Sequence, residues 1–191
     1  MTIENWFSVP VLYYDLSEEE FEKVQDSIQL AMPKILELDL GNPWGDSVET
    51  SFKYKTDCNL IEDLGLEVLK TVIMDQATLF CQSYDLNYTL RLKESWVNIS
   101  KKQGFQYPHN HLPFLFSGVY FYQTNGEDGS LQFKSPNPWL NAMTYPFGYD
   151  KITYRPIEGR LIMFPAYLEH LVNLNNTAST RISLSFNIEC N

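Results

Sequence analysis

The sequence predicts a mainly β protein with flanking helices, and three observations predict it. Short β-prone runs separated by polar turns crowd the chain from Tyr88 onward, and two amphipathic helical stretches lie before that point. No apolar run approaches the roughly 20 residues that span a bilayer. Many short strands with turn chemistry between them make a sandwich or barrel, and a helix with one apolar face needs a sheet to cover. A chain of 191 residues suits a single domain, 1–191, in which 1–87 supplies N-terminal strands and supporting helices and 88–191 the β core.

The elements follow in order. Residues Trp6 to Tyr14 are β-rich, and Pro10 suggests an edge or a strand start. Ser17-Glu18-Glu19-Glu20 reads as a capping box that opens a helix from Glu18 to Glu37, with Phe21, Val24, Ile28 and Ala31 on one buried face. Pro33 is expected to kink that helix or to end its first portion. A turn cluster, Gly41 to Asp46, precedes a short β-like stretch around Phe52 and Tyr54. A second helix is expected from Asp63 to Tyr84, where Leu66, Leu69, Ile73, Ala77 and Phe80 keep the helical period.

Beyond it the strand candidates are Tyr88–Leu92, Ser95–Ser100, Gly104–Tyr107, Phe116–Gln123, Leu131–Lys134, Lys151–Tyr154, Arg160–Phe164, Leu171–Asn173 and Arg181–Ile188. Turn residues separate them at 125–129, 158–159 and 175–177. The breaker-rich aromatic stretch from Ser135 to Tyr149 is expected to be a loop near the barrel mouth, one that either shapes a substrate pocket or packs its aromatics on the barrel.

Charge narrows the partners. The net charge of −10, from 14 basic and 24 acidic side chains, would repel nucleic-acid phosphates and anionic lipid, so neither is an expected partner. The three cysteines, Cys58, Cys81 and Cys190, are widely spaced and form no CxxC pair, which fits a reducing compartment. The opening Met-Thr-Ile-Glu-Asn-Trp has no basic start, apolar stretch or small-residue cleavage site, so a soluble cytoplasmic protein is expected.

The chemistry is carried by the three histidines. His109 and His111 stand two apart at a strand end, where alternation would turn both imidazoles to one side. His170 follows the run Gly159 to Pro165, which looks like a core strand entering a turn. Ligands converging on one side of a metal leave positions open for cosubstrate and oxygen, the logic of non-haem iron oxygenases. Downstream, Arg181 and Ser183 share a strand face, and a guanidinium fork beside a hydroxyl suits a carboxylate. Together they could hold the far end of a dicarboxylate whose other end chelates iron, and 2-oxoglutarate has that shape.

Over residues 95–188 the chain resembles a family of 2-oxoglutarate- and iron(II)-dependent oxygenases found in bacteria and phages. The resemblance runs in order through Trp96-Val97-Asn98, Gly104, His109-Asn110-His111, Ser117 to Tyr122, Gly159 to Pro165, His170 and Arg181 to Asn187. It implies a double-stranded β-helix (a jelly roll, cupin-like) with iron between its sheets, held by His109, His111 and His170. It implies that 2-oxoglutarate and oxygen are consumed, that succinate and carbon dioxide are released, and that a C–H bond of an unidentified substrate is hydroxylated. No catalytic residue beyond the metal ligands is expected.

His111 stands where the wider superfamily places a carboxylate, and Asp128 or Glu127 remain alternatives for that position. Asn98, Tyr107 and Tyr120 are candidate hydrogen-bonding partners of the cosubstrate, with Ser117 and Asn187 as further polar groups. Two other functions stay open: a three-histidine cupin-type dioxygenase without 2-oxoglutarate, and a non-catalytic barrel that binds metal or a small ligand. The oligomeric state is left open; the β-rich edge near Trp6 could pair in a homodimer.

Overall fold

Strand and helix patterns of this chain resolve into two antiparallel sheets with helices on one side. The computed structural model describes residues 2, 8–43, 45, 47–52, 58–137, 139 and 149–190. Trp6, Tyr54 and most of the predicted 135–149 loop lie outside the described residues. The elements are β1 (Leu12–Asp15), α1 (Glu18–Leu36), β2 (Val48–Thr50), α2 (Leu60–Asp63), α3 (Glu67–Gln82), β3 (Leu90–Ser100) and β4 (Gln106–His109). There follow β5 (Phe116–Gln123), β6 (Leu131–Lys134), β7 (Lys151–Tyr154), β8 (Arg160–Pro165), β9 (His170–Val172) and β10 (Arg181–Cys190).

The large sheet is six-stranded in the order β1-β8-β5-β10-β3-β2, and the small one four-stranded in the order β4-β9-β6-β7. The two sheets form the jelly-roll core. Pro10 precedes β1, which lies at the edge of the large sheet, as a proline requires.

The capping box forms: the Glu20 N–H donates to Ser17 Oγ at 3.3 Å and the Ser17 N–H to Glu20 Oε2 at 2.9 Å. Val24, Ile28, Ala31 and Ile35 bury the inner face of α1. Helix α1 continues through Pro33 to Leu36, so the proline falls in the last turn; its carbonyl still accepts the Glu37 N–H at 3.2 Å.

The predicted second helix corresponds to α3, which starts at Glu67, and a separate short helix, α2, ends at Asp63 where the expectation began. Between them Gly65 adopts φ +66°, its N–H donating to Glu62 O and that of Leu66 to Ile61 O. These are the two bonds of a Schellman stop, which closes α2 before α3 begins. The two strands expected at Tyr88–Leu92 and Ser95–Ser100 are one strand, β3. Lys93 is an extra residue there, since Glu94 faces Asn187 while Leu92 faces Ile188. The β-like stretch expected around Phe52 begins earlier, at Val48.

The large sheet is buried on both faces. On β10, Ile182, Leu184, Phe186 and Ile188 face the helices, joined by Tyr120 and Tyr122 of β5 and Leu161 and Met163 of β8. Their odd- and even-numbered neighbours turn the other way: Phe121, Ile162 and Phe164 pack with Leu131 and Phe133 of the small sheet. The side chains of β10 on that inner face are Arg181, Ser183, Ser185 and Asn187, so the space between the sheets is partly polar.

Candidate active site

A cavity of ≈ 280 Å³ opens between the sheets, lined by His109, His111, His170, Arg181, Ser183, Ser185 and Asn98 among other residues. Its aromatic walls come from Phe52, Trp96, Phe121 and Phe164.

His109 ends β4 and pairs directly with His170 at the start of β9. His111 lies just past β4, where its N–H donates to Ala166 O at 2.8 Å and ties the turn to the end of β8. Strand alternation is therefore not what aims it; this tether is. The imidazole centroids are 4.3 Å (His109 to His170), 5.0 Å (His109 to His111) and 5.1 Å (His111 to His170) apart. One ring nitrogen of each lies within 4.8 Å of the other two, a grouping that could hold a metal ion.

Tautomers follow from the neighbours. Nδ1 of His109 lies 2.7 Å from Tyr107 O and Nδ1 of His170 lies 2.9 Å from Leu168 O. A carbonyl only accepts, so both Nδ1 atoms carry the proton and both Nε2 atoms keep a lone pair. Burial lowers the pKa of all three rings, and proximity to His109 adds to the shift in His111, which falls to about 3, and in His170. The rings are thus neutral near pH 7, the form that ligates a metal. Phe133 and Phe164 flank His170 at 6.0 and 4.6 Å, and Trp96 stands 5.5 Å from His111.

At the far end of the cavity Arg181 is 3% exposed. Its Nη1 donates to the carbonyls of Asp128, at 3.0 Å, and Gly129. Its Nε is buried with no hydrogen-bond partner among the described residues. Burial pulls its pKa down to about 10 against the pull of Asp128, so it remains a cation at neutral pH. Arg181 lines the cavity with a buried guanidinium that, among the described residues, bonds backbone carbonyls and no carboxylate, so an anionic ligand would offset more of its desolvation than Asp128 does. The donor set thus fits a metal at one end and a carboxylate at the other.

Asp128 and Glu127 stand away from the histidines. The Asp128 carboxylate accepts from Thr124 Oγ1 at 2.5 Å and the Asn125 N–H at 2.9 Å, which shapes the turn that meets Arg181. Glu127 pairs with Arg155 at 3.0 Å on the surface. Among the described residues, the grouping around His111 contains no carboxylate.

The cosubstrate candidates divide. Asn98 and Ser183 are opposite each other on β3 and β10, buried and lining the cavity. Tyr107 is 58% exposed and outside it. Gln106 faces Val172 and His109 faces His170, so β4 carries one extra residue between them. That bulge places Gln106, not Tyr107, on the face of His109. Tyr120 is fully buried in the helix-side core, its hydroxyl without a hydrogen-bond partner among the described residues. It faces away from the cavity because Val119 and Phe121 take the inner positions.

Ser117 donates to Asn187 Oδ1 at 2.6 Å and Asn187 to Glu94 Oε2 at 2.8 Å, a row outside the cavity lining. Sequence reasoning passed over Gln106 and Ser185. Ser185 shares the alternation of Arg181 and Ser183 and could have been found from it; Gln106 could not, because the bulge is invisible in the sequence.

Residues 94–187 match the family model described as "Putative 2OG-Fe(II) oxygenase". No curated protein matches the chain by sequence. Among solved structures, a Pseudomonas putida prolyl-4-hydroxylase is similar at 16% identity and TM-score 0.63, over 95% of this chain and 93% of that one. HygX from Streptomyces hygroscopicus, with nickel and 2-oxoglutarate bound, has 13% identity and TM-score 0.60, over 95% and 83%. A Trichoplax adhaerens prolyl hydroxylase in complex with a hypoxia inducible factor peptide fragment has 14% identity and TM-score 0.61, over 94% and 83%. At such identities the likeness speaks for the fold.

Proposed function

We propose that this chain, which belongs to the 2OG-Fe(II) oxygenase family through residues 94–187, binds iron(II) with His109, His111 and His170. Arg181 and Ser183 take the distal carboxylate of 2-oxoglutarate, and Asn98 hydrogen-bonds the same molecule. The chain is a 2-oxoglutarate- and iron(II)-dependent oxygenase; the residue roles and the outcome, hydroxylation, are the proposal. One observation carries it: a buried, partner-seeking guanidinium and three neutral imidazoles share one cavity.

When bound, iron and 2-oxoglutarate supply the oxidising chemistry, consuming oxygen and releasing succinate and carbon dioxide as one oxygen atom enters a C–H bond. The residues do the rest. Arg181 and Ser183 give the cosubstrate a fixed end, so that its position against the histidines is set before oxygen arrives. The Nδ1–H bonds to Tyr107 O and Leu168 O hold the His109 and His170 rings in the ligating tautomer. Phe121, Phe164 and Trp96 give the cavity apolar walls, which lower the local dielectric around the bound groups.

Net charge of −10 supports a reading without nucleic-acid or anionic-membrane partners, and the free thiols support a cytoplasmic setting. Among the described residues, no helix is long and apolar enough to cross a membrane.

The test is an anaerobic titration with Fe(II) and then 2-oxoglutarate, read by the metal-to-ligand charge-transfer absorption. A saturable band is expected in the wild type and none at the same ligand concentration in Arg181→Met. Iron binding with no band at any 2-oxoglutarate concentration would sink the reading.

A further inference from the structure

Between the histidines and Arg181 the cavity is crossed by a chain of side-chain hydrogen bonds. Gln106 Nε2 donates to Asn98 Oδ1 at 3.3 Å, and Asn98 Nδ2 donates to Ser185 Oγ at 3.1 Å. The three residues come from β4, β3 and β10, so the chain joins the small sheet to the large one. All three line the cavity.

The direction of these bonds has a chemical consequence. Gln106 occupies the acceptor oxygen of Asn98, which turns the amide nitrogen toward β10 and leaves its second N–H for a ligand. Ser185 Oγ, already accepting from Asn98, has its own O–H to donate. Gln106 thereby makes the β3–β10 wall a surface of donors, next to Ser183 and Arg181, and such a surface suits an anion. Without Gln106 only Ser185 holds the Asn98 amide, and a serine hydroxyl can serve the flipped amide equally well by donating to Oδ1, so the oxygen can turn to the same anion and repel it.

The bulge between Gln106 and His109 is what brings both side chains to the inner face. One irregularity in β4 therefore serves the histidine group and the Asn98 amide together.

We propose that Gln106 is a positioning residue for 2-oxoglutarate: through Asn98 and Ser185 it fixes the donor wall that receives the anionic cosubstrate. This rests on the proposed function above. The experiment is a double-mutant cycle of Gln106→Leu and Ser185→Ala in the Fe(II)-loaded, anaerobic protein, with 2-oxoglutarate Kd read from the charge-transfer band. Iron affinity and Tm are measured alongside.

Gln106→Leu is expected to raise Kd roughly tenfold with iron affinity unchanged, the scale of one lost hydrogen bond to a charged ligand. Ser185→Ala is expected to raise it less. Because both act through Asn98, the double variant should cost less than the product of the two. Gln106→Glu keeps the volume if the leucine variant fails to fold. Its carboxylate accepts from Asn98 and reverses the amide, so Kd should rise at least as far. A lowered Tm with unchanged Kd, or effects that multiply independently, would overturn the proposal. Failure of the proposed function would look different, with no band in the wild type at all.

Discussion

The two faces of the large sheet are made by the same strands and do opposite things. On the helix side, Ile182, Leu184 and Phe186 of β10 enter a closed apolar core with α1 and α3. On the side facing the small sheet, Arg181, Ser183 and Ser185 border a cavity. One face buries apolar area, the main favourable term in folding. The other buries a guanidinium whose Nε lacks a hydrogen-bond partner among the described residues, which opposes folding unless a ligand arrives. A strand that alternates in this way divides stability from binding residue by residue, so the two should be separable by mutation.

The largest effect is expected at the metal end. His170→Ala should abolish stoichiometric iron(II) retention, measured as metal content after anaerobic loading and desalting, with the circular dichroism spectrum kept. One iron per chain in that variant would break the assignment. On the opposite face, Phe186→Ala should cost about 3–5 kcal/mol in urea unfolding, because it empties a fully buried site. The molecules that remain folded should bind 2-oxoglutarate as before; a matching loss of affinity would mean the faces are not independent.

Arg181→Met should weaken 2-oxoglutarate binding by about 3 kcal/mol, roughly a hundredfold, while stability changes far less, because losing the Nη1 bonds to the Asp128 and Gly129 carbonyls offsets the relief of a buried guanidinium. Gly129 links the two properties. It adopts φ +105°, and a Cβ there would lie 2.5 Å from Asn173 O and 2.8 Å from Arg181 Nη1. Gly129→Ala should lower stability by about 2 kcal/mol and also weaken 2-oxoglutarate binding, since the collision pushes the guanidinium. Calorimetry and ligand titration on one sample would show whether the two losses occur together. The smallest effect belongs to Tyr120→Phe. Its hydroxyl is buried in the helix-side core without a hydrogen-bond partner among the described residues, so stability should stay within about 1 kcal/mol and 2-oxoglutarate Kd should not move. A changed Kd would place Tyr120 back at the cosubstrate.

Much of this was legible in the sequence. The capping box at Ser17, the strands Phe116–Gln123, Leu131–Lys134 and Lys151–Tyr154, and the inward set Arg181 and Ser183 follow from local chemistry and period-2 alternation. The histidines stood out because the chain has so few. The turn at Gly65 was also written there, but the expected helix was started at Asp63 and run through it.

Tertiary structure alone decided the rest. Tyr107 and Gln106 exchange faces because one extra residue sits opposite β9, and a one-residue slip reverses every side chain beyond it. Tyr120 faces the helices because its neighbours meet the small sheet, a matter of which sheet stacks on which side. His111 reaches the other histidines through a tether to Ala166, far away along the chain. Sequence by itself determined the residue types, the period of each strand and the class of fold. Which face of each strand became the site depended on register and sheet packing, because these are set by contacts between segments that local sequence does not encode.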